Sequence, residues 1–451
     1  MPERNVEHGM SQAGQAYQRA IALMRTCLTE AGFLASVTEI DNYPRVWARD
    51  GAITGLAALL TDDENLIDGF RRTLDTLAQH QGPHGEIPSN VTVGGDHVSY
   101  GGLVGRVDAP LWYVLGVCQY VLRTADDDFL YRHQPAMERA LFLVGCWEFN
   151  ARGLIYAPMS SDWADEYIQH GYALVDQLLY LCALDSYGRV VNDDSSRRRA
   201  AVLREQIEVN YWPHPALADD RRVYHPAAYR RFLADHPDGP SHWLATFTPG
   251  GYATRFDGLA NALALLAGPS TPRQALRQAQ EGPRGDAGSG DALNSSKGQC
   301  LGDTEQARTV ITTIERLYAE FAGPLKESAG LVPSFYPVIR PGDPEWPALR
   351  TNYAFRFQNQ PYEYHNGGLW PVITGFYAAA LAHHGEQVRA EAALKAINAA
   401  NARGLDGETW GFYEYLNGQT HRPAGTRHLA WSAAATVIAH RVVVDKQPFL
   451  V

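Results

Sequence analysis

The sequence predicts an all-α protein in which about a dozen helices close into a ring of pairs, six inner and six outer. Three observations carry this. Apolar residues recur at helical spacing in about a dozen segments of the 451-residue chain, while alternating strand patterns are few. Long loops recur before alternate helices. A closed ring also lets one core serve a chain longer than most single cores. A helical solenoid would need a fixed-period repeat, and none is found.

Taken in order, residues 11–30 begin the set, with Tyr17, Ile21, Met24 and Leu28 on one stripe. The aromatic and charged segment 41–50 leads into a small-residue helix at 51–60. Leu66, Phe70, Leu74 and Leu77 mark the next helix, and a polar, Gly-rich loop fills 80–108. Helices are expected at 109–124 and 133–149, then a loop at 150–170, then helices at 171–189 and 195–210. The Pro- and His-rich stretch 212–250 reads as irregular, and a helix follows at 257–267. Residues 269–302 lose nearly all large apolar side chains. They read as a flexible low-complexity insertion within a single domain of residues 1–451, because helical spacing resumes at 303–321. Helices at 370–384, 387–402 and 427–442 complete the ring.

Composition excludes several functions. The net charge is −11 and Lys and Arg form no long clusters, which argues against nucleic acid and anionic membranes. No apolar run reaches membrane-spanning length. The five cysteines are widely spaced without CxxC, and residues 1–14 have no apolar signal core, so a cytoplasmic protein is expected. Phosphate-loop, dinucleotide, HExxH and nucleophile-elbow motifs are missing, so neither cofactor nor metal is expected. A homo-oligomer is compatible with the sequence.

The stretch Tyr364-His365-Asn366-Gly367-Gly368-Leu369-Trp370-Pro371 opens an apolar helix. Its rings suit the apolar faces of sugars, and its amide and imidazole suit hydroxyls. Four further loops set carboxylates among aromatics or arginines: Trp47 to Asp50, Gly105 to Asp108, Asp162 to Glu166, and Trp410 to Tyr415. Cleaving a glycosidic bond takes two carboxyl groups, one protonated and one ionised. Each acid alone is more often a structural salt bridge or a helix cap than a functional group.

Gly105-Arg106-Val107-Asp108 with Leu111-Trp112-Tyr113, the 364–371 stretch, Arg49-Asp50, and Trp410 with Glu414-Tyr415 together resemble the neutral/alkaline invertases, glycoside hydrolase family 100. Amylo-alpha-1,6-glucosidase sequences carry versions of the 364–371 motif. The resemblance spans about residues 43 to 435 and implies an (α/α)6 barrel acting on α-glucosyl bonds. It implies Asp165 as general acid, placed by His170-Gly171, with Asp162 as the alternative, and Glu414 as base. It implies sugar contacts from Trp47, Arg49, Asp50, Arg106, Asp108, Tyr364, His365, Asn366, Gly367, Trp370 and Gln177. The family's run after His-Gly survives here only at Leu174 and Gln177, which bears on sucrose specificity. The expected activity is inverting release of a terminal α-glucosyl unit from sucrose or a related small carbohydrate substrate. Debranching-type action on α-glucans is the alternative. A sugar epimerase or lyase using Tyr364 and His365, and a carbohydrate-binding protein without catalysis, are the rivals.

Overall fold

The computed structural model describes residues 11–267, 305–322 and 330–450. The expected insertion at 269–302 lies outside the described residues. Six helices form an inner ring: α2 (Ala48–Ala58), α4 (Asp108–Thr124), α6 (Leu174–Val190), α9 (Gly258–Ala267), α12 (Pro371–His383) and α14 (Ala430–Val443). Each packs on the next, and α14 closes the circle on α2. Outside them lie α1 (Gln12–Thr26), α3 (Glu64–Gln79), α5 (Asp127–Cys146), α7 (Asp194–Tyr211), α10 (Glu305–Glu320) and α13 (Gln387–Asn401), and the short α11 (Trp346–Thr351) precedes α12. The chain is an (α/α)6 barrel.

The sequence explains which helix goes where. Inner helices touch neighbours on all sides, so they are apolar all round; every residue of α2 is buried. Outer helices carry one apolar stripe, as Leu66, Phe70, Leu74 and Leu77 do on α3. Four of them start on a capping side chain, Ser11, Asp63, Asp126 and Asp193: Asp63 accepts from Asn65 N and Leu66 N, and Asp193 from Ser195 N and Ser196 N. Gly375 on α12 faces Ala435 on α14, where a Cβ would lie 2.8 Å from the alanine methyl. A glycine is what lets these two inner helices approach.

Three expectations need correcting. Helix α1 stops at Thr26, because the chain turns at Gly32 (φ +112°) into a hairpin pairing Leu28–Thr29 with Gly32–Phe33. Helix α5 starts at Asp127 rather than 133, with Asp126 as its cap. The stretch read as irregular holds α8 (Pro226–Asp235) and the paired strands Thr246–Thr248 and Gly251–Ala253. Pro226 sits at the first helical position, where its missing N–H costs nothing. Tyr229 and Phe232 then bury against Tyr252, which fixes this excursion to the barrel.

Candidate active site

The cleft opens at the N-terminal ends of the inner helices. Short antiparallel sheets sit just before them and aim the loops. Val46–Trp47 pairs with Asn90–Val91 ahead of α2, and Tyr172–Ala173 pairs with Thr246–Thr248 ahead of α6. Asp50, Asp108 and Asp176 fall in the first turns of α2, α4 and α6, where the helix dipole favours a carboxylate.

Trp47, Arg49, Asp50, Arg106, Asp165, Tyr364, His365, Trp370 and Glu414 line one cleft of about 350 Å³. Asp165 is gripped by Arg106, whose Nη2 donates to Oδ2 at 2.7 Å. The Tyr364 hydroxyl donates to its Oδ1 at 3.5 Å, and His365 Nε2 stands 3.7 Å away. Burial alone would raise this carboxyl, but Arg106, His365 and Arg49 outweigh it and hold Asp165 well below the usual range. Glu414 is the opposite case. Burial dominates and pushes it up to about 8, against the hydrogen bonds from Tyr43 and Thr426 N. The Tyr43 hydroxyl donates to Oε1 at 2.8 Å, and Thr426 N donates to Oε2 at 3.2 Å. Asp50 is raised to about 6 by burial, which Arg49 opposes.

Aromatic rings build the floor. His365 lies parallel to Trp370 with centroids 5.0 Å apart, and edge-on to Trp163 at 4.9 Å. Burial lowers the His365 pKa, which Asp165 opposes, and the ring's Nδ1 makes no hydrogen bond to protein. Tyr364 holds a left-handed backbone (φ +48°). The glycines after it are required: a Cβ on Gly368 would stand 2.3 Å from Tyr364 O, and Gly367 has φ +92°.

Five predicted residues do not line the cleft. Asp162 points into the interior and accepts from Ala164 N at 2.9 Å and Gln169 Nε2 at 3.0 Å. Asp108 lies one layer down, paired with Arg49 at 2.8 Å. Asn366 is consumed by Ile339 N, Ile339 O and Asn359 O, and so braces the loop rather than reaching the cleft. Gly367 packs on Val338. Gln177 bonds the backbone of Ile155 on both sides and Ala173 O, deep in the barrel wall.

Sequence reasoning passed over Tyr43, Glu166, Trp163 and Trp431. Trp163 and Trp431 are cleft walls, and Arg49 stacks over Trp431 at 5.7 Å. Tyr43 touches Glu414 from 371 positions away in the chain, so no local pattern announces it. Beneath the cleft lies a group of buried aspartates. Gln169 bridges Asp162 and Asp257 at 3.0 and 3.3 Å. Burial raises Asp162 to about 6 and Asp257 to about 7, and Asp176 well above its ordinary value. Among the described residues no cluster of three or more His, Cys, Asp or Glu could hold a metal ion.

A family model described as alkaline and neutral invertase matches residues 303–446, which include the 364–371 stretch and Glu414 but not Asp165. The chain is similar to the alkaline and neutral invertases. Probable alkaline/neutral invertase D of Arabidopsis thaliana is 22% identical, over 97% of this chain and 82% of that protein. Cytosolic invertase 1 of Oryza sativa subsp. japonica is 23% identical, over 97% and 78%. Among solved structures, the GH63 mannosylglycerate hydrolase from Thermus thermophilus superposes with a TM-score of 0.59 at 14% identity, covering 94% of this chain and 99% of that one. A bacterial glucoamylase complexed with acarbose gives 0.59 at 13%, covering 97% and 57%. At these identities the solved structures speak for the barrel alone. No helix among the described residues is long and apolar enough to cross a membrane.

Proposed function

We propose that the protein is an inverting glycoside hydrolase that releases a terminal α-glucosyl unit from sucrose or a related small α-glucoside. The observation that carries this is the pair Asp165 and Glu414, two carboxyls of opposite character in one aromatic-walled cleft. Such a pair is what glycoside hydrolysis uses. The likeness to the invertases supports the α-glucosyl substrate, and the four free cysteines among the described residues accord with a cytoplasmic setting. Incubation with sucrose, maltose, isomaltose, trehalose and limit dextrin, with glucose release as readout, tests it. Release from dextrin alone would move the protein to the debranching alternative, and no release from any would sink the proposal.

In this reading Asp165 protonates the leaving oxygen and Glu414 activates water. The sugar is held by Arg49, Asp50, His365 and Trp370. The free cleft distributes its charges the other way, with the proton on Glu414 and Asp165 ionised by Arg106. The working form is then the minor tautomer of a pair that shares one proton. The free-state charges by themselves favour a second reading with the two roles exchanged, and the Asp165→Asn and Glu414→Gln variants separate the two.

Both readings need that shared proton, and pH alone does not tell the tautomers apart. Glu414 gives it up near pH 8. The expected kcat/KM is level below this point and falls about tenfold per pH unit above it. A profile that climbs through pH 9 would contradict the shared-proton pair. Tyr43→Phe removes a donor that stabilises ionised Glu414, so its pKa rises further and the alkaline limb moves to higher pH. An unmoved limb would mean that Tyr43 does not tune the base.

A further inference from the structure

Phe355 is 80% exposed, yet it lines the catalytic cleft beside Leu103, which is 46% exposed. A lone exposed aromatic on a protein surface needs no explanation. This one sits on a loop that is itself held at the mouth of a site. Ala354 N donates to Glu166 Oε1 at 3.0 Å, and Asn359 Nδ2 donates to Glu166 O at 2.6 Å. Asn352 is fixed to Tyr167 O at 3.0 Å and accepts from Ser160 Oγ at 2.9 Å. The loop bearing Phe355 is thus tied on both sides to the loop that carries Asp165. Gly102, next to Leu103, comes close to Ala354: a Cβ there would stand 4.0 Å from the alanine methyl.

The two ends of the cleft differ in exposure. Glu414, Asp50, His365 and Trp370 are buried, at 4%, 6%, 1% and 1% exposed. A terminal glucosyl unit seated there has only one way for its substituent to run, outward to the mouth. We infer that Phe355, with Leu103 beside it, is the platform for the leaving group and stacks on the apolar face of a second sugar ring. The inference rests on the hydrolase reading above. Its chemistry is that of an aromatic face against sugar C–H groups, with hydroxyls left for polar neighbours in the same cleft. Arg45 and Asn90, joined at 3.0 Å, are such neighbours. The ring's tie to the Asp165 loop puts it on the side where the leaving oxygen is to be protonated.

The test compares two substrates. Sucrose carries a second ring; α-glucosyl fluoride has none and cannot use the platform. Phe355→Ala is expected to lower kcat/KM on sucrose by about tenfold or more, chiefly through KM, while the fluoride changes less than about twofold. Phe355→Trp keeps a stacking face and should retain most of the sucrose activity. Equal losses on both substrates, or none on sucrose, overturn the platform. If the parent protein cleaves neither compound nor any of the five glucosides named above, the hydrolase reading falls instead. Calorimetric titration of maltose into Glu414→Gln protein, with and without Phe355→Ala, then decides the platform alone: weaker binding without the ring supports it, and equal or undetectable binding overturns it.

Discussion

Glu414→Gln is expected to abolish hydrolysis of every substrate, and Asp165→Asn to slow it in proportion to how badly the leaving group needs a proton. Both changes keep the shape of the side chain and remove its acid–base chemistry. A positioned acid or base is worth about a hundred- to ten-thousandfold in rate. With Asp165 as donor, its variant loses most on sucrose and little on α-glucosyl fluoride, whose leaving group departs unaided. Glu414→Gln then loses on both, because water still has to be activated. With the roles exchanged the patterns trade places, so the pair of variants on the pair of substrates assigns the proton. Proton NMR of the first minutes of reaction supplies the stereochemistry: β-glucose from an α-glucoside marks direct attack by water. Initial α-glucose would make Glu414 a nucleophile and end the inverting assignment.

The largest effect on stability is expected from Arg49→Leu. Arg49 and Asp108 form an ion pair at 2.8 Å with side chains 9% and 2% exposed. Asp50 and Asp165 lean on the same guanidinium. Removing it leaves Asp108 buried without its cation, which costs about 3–5 kcal/mol. The measurement is the urea midpoint of Arg49→Leu against the parent, with the Arg49→Leu, Asp108→Leu double variant as control. The double variant no longer buries a lone charge and should regain much of the loss. A single variant as stable as the parent would show that Asp108 finds another partner and would end the claim that Arg49 neutralises it.

Much of the barrel is legible in the sequence because inner and outer helices obey different patterns. The all-apolar run after Trp370 can only be buried on every side, and the stripe of α3 can only face inward on one. The excursion around α8 escaped because Pro and His obscure a short amphipathic helix whose apolar face covers a few rings. Which residues line the candidate cleft is legible where chemistry and chain position coincide, as at Asp165, Glu414, Tyr364, His365 and Trp370. It fails where a residue type suits both sugar and backbone. Gln177 and Asn366 are amides of the expected kind, yet the loops Ile155 and Ile339 belong to claim them first. Orientation of that sort is set by the packed ring and leaves no mark on spacing.

The ring closes where α14 meets α2, and this fixes when the protein can begin to work. Ala430 N bonds Ala35 O at 2.8 Å, and Ser36 Oγ bonds Arg427 O at 2.8 Å. Tyr43 reaches Glu414 across the same seam, and Arg49 meets Trp431 there. During synthesis the first inner helix therefore waits for the last, with its apolar flank uncovered while nearly four hundred residues are added. Helix pairs can form locally along the way, since their contacts are near in sequence. The carboxylate pair is completed only when the final turn of the barrel docks, so a nascent chain carries Asp165 for most of its synthesis without the Glu414 that would complete the pair.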